Sequence, residues 1–546
     1  MPGWIPEWPM IKDGKDGNDG RDARDGRDGK EGSSGTALRR CLRVTLLGFL
    51  PVLPLFPVVP VTAQTDLARR IDSRLNRVPF NRQLWGLALL DESGRLVYGQ
   101  NDSRMFIPAS NTKLVVAAVA SALLPPNWRV RTSLYGGPVV GGILQGDLVL
   151  YGRGDPTMGR RCYATDSTVA GVCDADPFIR MRQLVDGLKA KGVRAVSGDV
   201  VGDGSYFETT LVHPNWESFD LNWWYAAPVS GLGFHDNSID FDWQPGRAAG
   251  APAVITMSPD LGDVGFENRT VTVPPGGESD IGDRFYRHPG SLQIWAEGTV
   301  ALDNAPRTES FAIPDPNLYA ARALRQALAD AGIAVMGTTR STTDSLLYAR
   351  LRSSPPLAEV QSRPLRDWIF PVLNTSQNWF SEMLLKQLGK QFGKAGSWLE
   401  GLAVERRFLI DSVRVDSTQF SLSDGSGLSS SNLISPLVFT QLLRFMRRHP
   451  SYPTFAAALP QAGLAGSLRN RFLGTPLAGR VRAKTGSISR VHSLTGYLES
   501  GPGRTLMFSV LANHHAEPTR TMVAAIDSVV VEMGRTVSGN GRQSKR

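Results

Sequence analysis

Cysteine is nearly absent from this chain: three occur in 546 residues, at Cys41, Cys162 and Cys173. That excludes a scaffold stapled by many disulfides and a thiolate-rich metal site. No apolar run is long and clean enough for a multi-span membrane protein. The one candidate, residues 39–63, carries proline at Pro51, Pro54, Pro57 and Pro60, and a proline every third position is hostile to a spanning helix. His-Glu-x-x-His is missing, His492 stands alone, and His514-His515 fall in an expected loop, so no metal and no cofactor is expected. The net charge of +9 comes from 60 basic and 51 acidic residues scattered along the chain, with no basic run beyond the tail GRQSKR, and a nucleic-acid partner is therefore not expected. Lysine is scarce as well: 11 of the basic residues are lysine and 49 are arginine.

What is present is an ordinary globular composition, 41% apolar and 20% charged, on a chain long enough for two or three structural units. Residues 39–63, RRCLRVTLLGFLPVLPLFPVVPVTA, run from arginines through an apolar stretch to small residues. This is the layout of a secretory signal cut near Ala63, which places the mature chain in the periplasm or outside the cell. In residues 1–38 glycine falls on nearly every third position from Gly14 to Gly35, without proline. The run is too short and too poor in imino acids for a collagen helix, and is read as a disordered extension or as translation assigned too far upstream. Cys41 precedes the apolar run and does not fit a lipoprotein anchor. Cys162 and Cys173 bracket a polar loop and are expected to pair as a disulfide. A mildly basic exported chain suits anionic envelope polymers, with peripheral membrane or cell-wall association.

Periodicity divides the rest. Residues 64–126 begin with helical spacing at Leu67, Ile71 and Leu75, continue as a hairpin turning at Glu92-Ser93-Gly94, and end in an apolar helix opening near Ser110. Residues 127–314 read as β-rich units rich in glycine and turns, with one helix at FIRMRQLVDGLKAKG. Residues 315–534 read as helices, three strands and a last helix, and 535–546 as a basic disordered tail. The prediction is one α/β (α+β) domain interrupted by a β-rich insertion.

The chemistry-bearing pattern is Ser110-x-x-Lys113. Positions i and i+3 share a helix face, so the amine reaches the hydroxyl. A serine needs a base, and a desolvated lysine can become one, whereas arginine stays protonated. Serine stands three residues before lysine nowhere else in the chain. A second pattern, Lys484-Thr485-Gly486 followed by Ser487, is also unique; it offers a cation and a hydroxyl to a carboxylate, and a glycine where a substrate backbone can approach. A third, Ser-x-Asn, occurs at Ser376/Asn378, Ser430/Asn432 and Ser538/Asn540. The place of Ser376 between two helices favours it, with Ser430 as rival.

Ser-x-x-Lys, Ser-x-Asn and Lys-Thr-Gly in this order resemble the penicillin-binding proteins and serine β-lactamases. SGDVVGDGSYF, DGSGLSSSNLISP, LPQAGLAGSLRNRF and AKTGSISRVHSLTGYL are similar to segments of the class C low-molecular-mass penicillin-binding proteins, the D-alanyl-D-alanine carboxypeptidase/endopeptidases, over residues 66–533. The stretch between the first two motifs is more than twice that between the last two, which points away from class A β-lactamases.

The resemblance implies a transpeptidase-type fold, an antiparallel sheet flanked by helices, with peptidoglycan stem peptides as substrates and β-lactams as covalent inhibitors. It implies that Ser110 is acylated and Lys113 takes its proton. Ser376 and Asn378 would relay a proton to the leaving group, Lys484 and Thr485 would hold the terminal carboxylate, and the N–H groups of Ser110 and Ser487 would form the oxyanion hole. A serine β-lactamase and a non-catalytic wall-binding protein of the same fold are the alternatives. The chain departs from the family pattern at Gln377 and at Gly231-Leu232-Gly233-Phe234. Asp155, before Pro156, is expected to form a turn, and Asp424 to be structural.

Overall fold

The computed structural model describes residues 61–159, 176–262, 264–288, 290–501 and 503–538. The glycine-periodic segment, nearly all of the leader, the cysteines at 162 and 173 and residues 539–546 of the tail lie outside them, whereas residues 535–538, expected as tail, continue the last helix.

The predicted hairpin forms as strands β1 (Leu84–Leu90) and β2 (Leu96–Gln100). Near the C-terminus come β3 (Val481–Ile488), β4 (Val491–Gly501) and β5 (Arg504–Asn513). Together they make one antiparallel sheet in the order β2–β1–β5–β4–β3, so the two ends of the chain close a common sheet. LWGLALL is apolar nearly throughout because β1 lies inside that sheet with both faces covered, and only Leu84 of it is exposed.

One face is covered by α1 (Val61–Leu75) and the last helix, α6 (Thr519–Ser538), through Leu67, Ile71, Phe508, Val529 and Met533. Glu532 of α6 receives Arg70 and Arg74 of α1, which fastens the two helices together. The other face carries α2 (Lys113–Leu123) and α5 (Pro436–Arg448), with α3 (Asn378–Phe392) and α4 (Trp398–Phe408) packed beyond them. Helix α2 is buried continuously from Lys113 to Ser121, as a helix with apolar residues on every face must be in a core.

The inserted part holds a five-stranded sheet in the order Thr339–Thr342, Val200–Asp203, Leu148–Tyr151, Arg131–Tyr135 and Ala358–Gln361, with smaller sheets beside it. Strand pairing crosses the boundary expected at residue 315. Thr339–Thr342 pairs in parallel with Val200–Asp203, and Ala358–Gln361 pairs with Arg131–Tyr135, so residues 316–361 share sheets with 127–314. The helix Pro316–Asp330, capped by Asp315 through the N–H groups of Asn317 and Leu318, lies so close to Val200–Asp203 that a Cβ on Gly202 would sit 1.9 Å from the Asn317 carbonyl oxygen. An amphipathic helix reads alike in either half of a chain; only long-range pairing assigned this one.

Candidate active site

Ser110 is not in the first turn of an α-helix. It sits in a 3₁₀ turn, Ala109–Thr112, immediately ahead of α2, whose first residue is Lys113. The amine is wholly buried and directed at three oxygens: Ser110 Oγ at 2.9 Å, Asn378 Oδ1 at 2.6 Å and the carbonyl of Ser426 at 2.6 Å. The last two can only accept. A neutral Lys113 therefore spends its two N–H groups on Asn378 and Ser426 and turns its lone pair to the Ser110 hydroxyl. Burial pushes the Lys113 pKa down to about 7, against the pull of the Asp424 and Glu382 carboxylates. A free amine is thus attainable at neutral pH where an exposed lysine would be protonated.

Asn378 opens α3, and its Nδ2 donates to the Tyr225 carbonyl at 2.8 Å, tying the helix start to the inserted part. Gln377 caps the helix by accepting from Trp379 N at 3.0 Å and donates to Asp236 at 3.1 Å, which accounts for its departure from smaller residues. The neighbouring departure has a matching cause. A Cβ on Gly233 would fall 2.6 Å from the Trp379 ring, and His235, Asp236 and Asn237 all take φ near +50°, at 51, 52 and 52, so this segment is shaped to abut α3 rather than to run as a smooth strand. Ser376 is itself held at φ 63, a region costly for a residue with a Cβ. Its hydroxyl accepts from Lys484 Nζ at 2.8 Å, and Lys484 also donates to the Thr485 carbonyl at 2.7 Å. Burial first, and then the charge of Lys113, hold the Lys484 pKa well below its usual value.

Strand β3 is the sheet edge beside Ser110. Gly486 answers to the protein's own backbone: a Cβ there would lie 2.2 Å from Ser493 Oγ, 2.6 Å from the Pro108 carbonyl oxygen and 3.1 Å from Ser110 N. Ala483 N points outward to Pro460 O at 3.1 Å, and by strand alternation Thr485 and Ser487 direct their N–H groups to that same edge. Thr485 Oγ1 lies 2.9 Å from Ser467 Oγ, and Ser487 Oγ lies 3.3 Å from His492 Nε2. His492 in turn contacts His515 at 2.7 Å, and burial, with the neighbouring charge of His515, pushes its pKa down to about 4.

Ser110, Lys113, Ser376, Asn378, Lys484 and Gly486 are thus brought together, with Thr485 and Ser487 on the adjoining strand edge. The rival Asn432 is not among them. Its amide is consumed inside the DGSGL loop, donating to Asp424 and the Ser429 carbonyl and accepting from the N–H groups of Ser423 and Asp424. Asp424 is a loop anchor, receiving Gly427 N, Ser429 N and the Trp216 indole. That loop presses on the serine turn, since a Cβ on Gly427 would lie 1.9 Å from the Ala109 carbonyl oxygen. Asp155 accepts from Thr157 N and Oγ1 at 2.7 and 2.6 Å, closing a turn. Sequence reasoning missed the carbonyls of Ser426 and Tyr225 and the hydroxyl of Ser467. The DGSGL turn was the available signal for the first; nothing in the sequence marks the Tyr225 carbonyl. Among the described residues no group of three or more His, Cys, Asp or Glu could hold a metal ion, and no helix is long and apolar enough to cross a membrane.

An antiparallel sheet between helical layers, with serine and lysine side chains gathered at its edge strand, is the penicillin-binding protein and β-lactamase-like fold of serine hydrolases. The chain belongs to the D-Ala-D-Ala carboxypeptidase 3 (S13) family, whose model matches residues 67–533, and is accordingly a serine-type D-Ala-D-Ala peptidase. It is 30% identical over 483 residues to the D-alanyl-D-alanine carboxypeptidase of Actinomadura sp., covering 86% of this chain and 84% of that one. It is 24% identical to the D-alanyl-D-alanine carboxypeptidase DacB of Haemophilus influenzae, covering 77% and 83%. The crystal structure of penicillin binding protein 4 from Haemophilus influenzae superposes with a TM-score of 0.69 at 21% identity, covering 87% of this chain and 99% of that one.

Proposed function

We propose that Ser110 is the nucleophile and Lys113 its base in the cleavage of peptidoglycan stem peptides. The observation that carries this reading is the Lys113 amine, buried, 2.9 Å from Ser110 Oγ and bonded otherwise only to acceptors. Lys113 takes the hydroxyl proton as Ser110 Oγ attacks the carbonyl carbon of the penultimate D-Ala. The oxyanion forms against the N–H groups of Ser110 and Ser487, worth on the order of 3 kcal/mol per donor. The C–N bond then breaks, the leaving amine takes a proton through Ser376, and the acyl group stays on Ser110. Water releases it and returns the proton to the site. The terminal carboxylate settles by Lys484 and Thr485, and its negative charge restores the Lys484 ammonium that burial disfavours.

The same steps serve the free D-Ala-D-Ala terminus and the cross-link from D-Ala to a diamino acid, so carboxypeptidase and endopeptidase action share the site. β-Lactams would acylate Ser110; a β-lactam complex is recorded for the penicillin binding protein 4 of Haemophilus influenzae. The mature chain would begin just after Ala63 and work in the periplasm or outside the cell. A labelled penicillin on the parent and on Ser110→Ala tests the assignment: labelling should vanish with the hydroxyl, and labelling that persists refutes it. D-Ala release from stem peptides, weighed against penicillin turnover, separates a peptidase from a β-lactamase and from a protein that only binds wall.

A further inference from the structure

Asn378 and Glu382 stand four residues apart on α3, one turn of helix, and so share a face. Asn378 meets Lys113 directly. Glu382 meets it through the loop: Oε1 accepts from Ser426 N at 2.7 Å, Oε2 from Gly425 N at 3.1 Å, and the carbonyl of the same Ser426 takes Lys113 Nζ at 2.6 Å. The carboxylate is wholly buried, and the Trp398 indole on α4 donates to Oε2 at 2.8 Å, fixing its rotamer. Ser381 adds a second tether to the loop, from Oγ to the Gly425 carbonyl at 2.7 Å.

From this chain of contacts we infer that Glu382 is a positioning residue for the general base: it sets the place of the Ser426 carbonyl and thereby turns the Lys113 lone pair to Ser110. Without that carbonyl the amine has Asn378 as its one remaining fixed acceptor, and its lone pair is no longer confined to the serine. The inference rests on the reading of Ser110 and Lys113 as nucleophile and base. Among the described residues Glu382 receives three N–H donors and no cation, which fits this work, because all three donors belong to the loop and to the helix behind it. The charged groups around the amine are Asp424 from the loop, Glu382 from α3 and Lys484 from β3. Glu382 itself faces Asp424, Glu405 of α4 and Lys386 one turn further along α3.

The test is Glu382→Gln, a change of charge and hydrogen bonding at constant shape, with acylation by penicillin and D-Ala release measured against pH. Glutamine sets an NH2 against donors it cannot accept from, so one loop tether opens. The expected result is a fall in the plateau acylation rate on the order of tenfold at unchanged KM. Burial and the nearby Asp424 push the Glu382 pKa up to about 7, so its charge fades over the acid limb; loss of the fixed Ser426 carbonyl, which favours the ammonium form of Lys113, should move that limb to lower pH. A folded variant with a parent-like plateau, or with an unmoved acid limb, overturns the inference. Should Glu382→Gln not fold, Ser381→Ala removes the other loop tether with little loss of volume and must lower the plateau at unchanged KM; parent-like acylation there overturns it equally. Ser110→Ala in parallel separates the two claims, since labelling that survives it sinks the nucleophile assignment and not the loop argument alone.

Discussion

Lys484 donates to Ser376 across 2.8 Å although 108 positions separate them in the chain. Two residues past that serine, Asn378 receives Lys113, so the start of one helix holds both buried lysines of the site. The charge of Lys113, after burial, disfavours an ammonium at Lys484.

Replacing Ser376 by alanine leaves Lys484 without its side-chain acceptor. The loss of a hydrogen bond to a charged group costs about 2 kcal/mol, roughly thirtyfold in kcat/KM for D-Ala-D-Ala peptides. Steady-state kinetics check it, and a variant as active as the parent would remove Ser376 from the proton path.

Lys113→Arg keeps a cation and removes the base, since a guanidinium does not deprotonate. Acylation by penicillin should fall on the order of a thousandfold, read by single-turnover labelling, while circular dichroism stays native. A fall of less than tenfold would argue for another base.

The parent acylation rate should rise with pH through about 7, where the Lys113 amine loses its proton. The sign follows from the lowered pKa: below it Lys113 is an ammonium and cannot accept the Ser110 proton. Rapid-quench labelling between pH 5 and pH 9, about two units either side of that value, would show it, and a rate flat across that range is incompatible with Lys113 as base.

Gly486→Ala places a methyl where Ser493 Oγ and the Pro108 carbonyl already stand, at 2.2 and 2.6 Å. Overpacking of this kind costs about 1–3 kcal/mol, and here it also pries β3 from the serine turn. A lowered melting temperature together with slowed acylation is expected, and a variant unchanged in both would show that the strand can move without consequence.

Peptide mapping without reduction should recover Cys162 and Cys173 in one cross-linked peptide, as two cysteines in an exported chain ordinarily pair. Two free thiols would contradict both the pairing and the oxidising location.

Much of the site was legible because its chemistry is carried by scarce residues. With 11 lysines in the chain, a lysine three positions after a serine and another before Thr-Gly could be picked out, and the hairpin, the three late strands and the apolar helix followed from periodicity. The role of Gly486 was not legible, because the backbone it meets belongs to Pro108 and Ser110, far away in sequence. The pairings across residue 315 were not legible for the same reason: Thr339–Thr342 and Ala358–Gln361 declare their neighbours only by pairing with Val200–Asp203 and Arg131–Tyr135.

The amino-acid sequence by itself determined which side chains could do the chemistry and which segments would be helix or strand, since both depend on residue type and near neighbours. Only the tertiary structure set Asn378 against Lys113, gave Lys113 the Ser426 carbonyl, and spent Asn432 inside its own loop. Those choices rest on backbone groups that every residue carries alike, and their positions exist only once distant segments have packed.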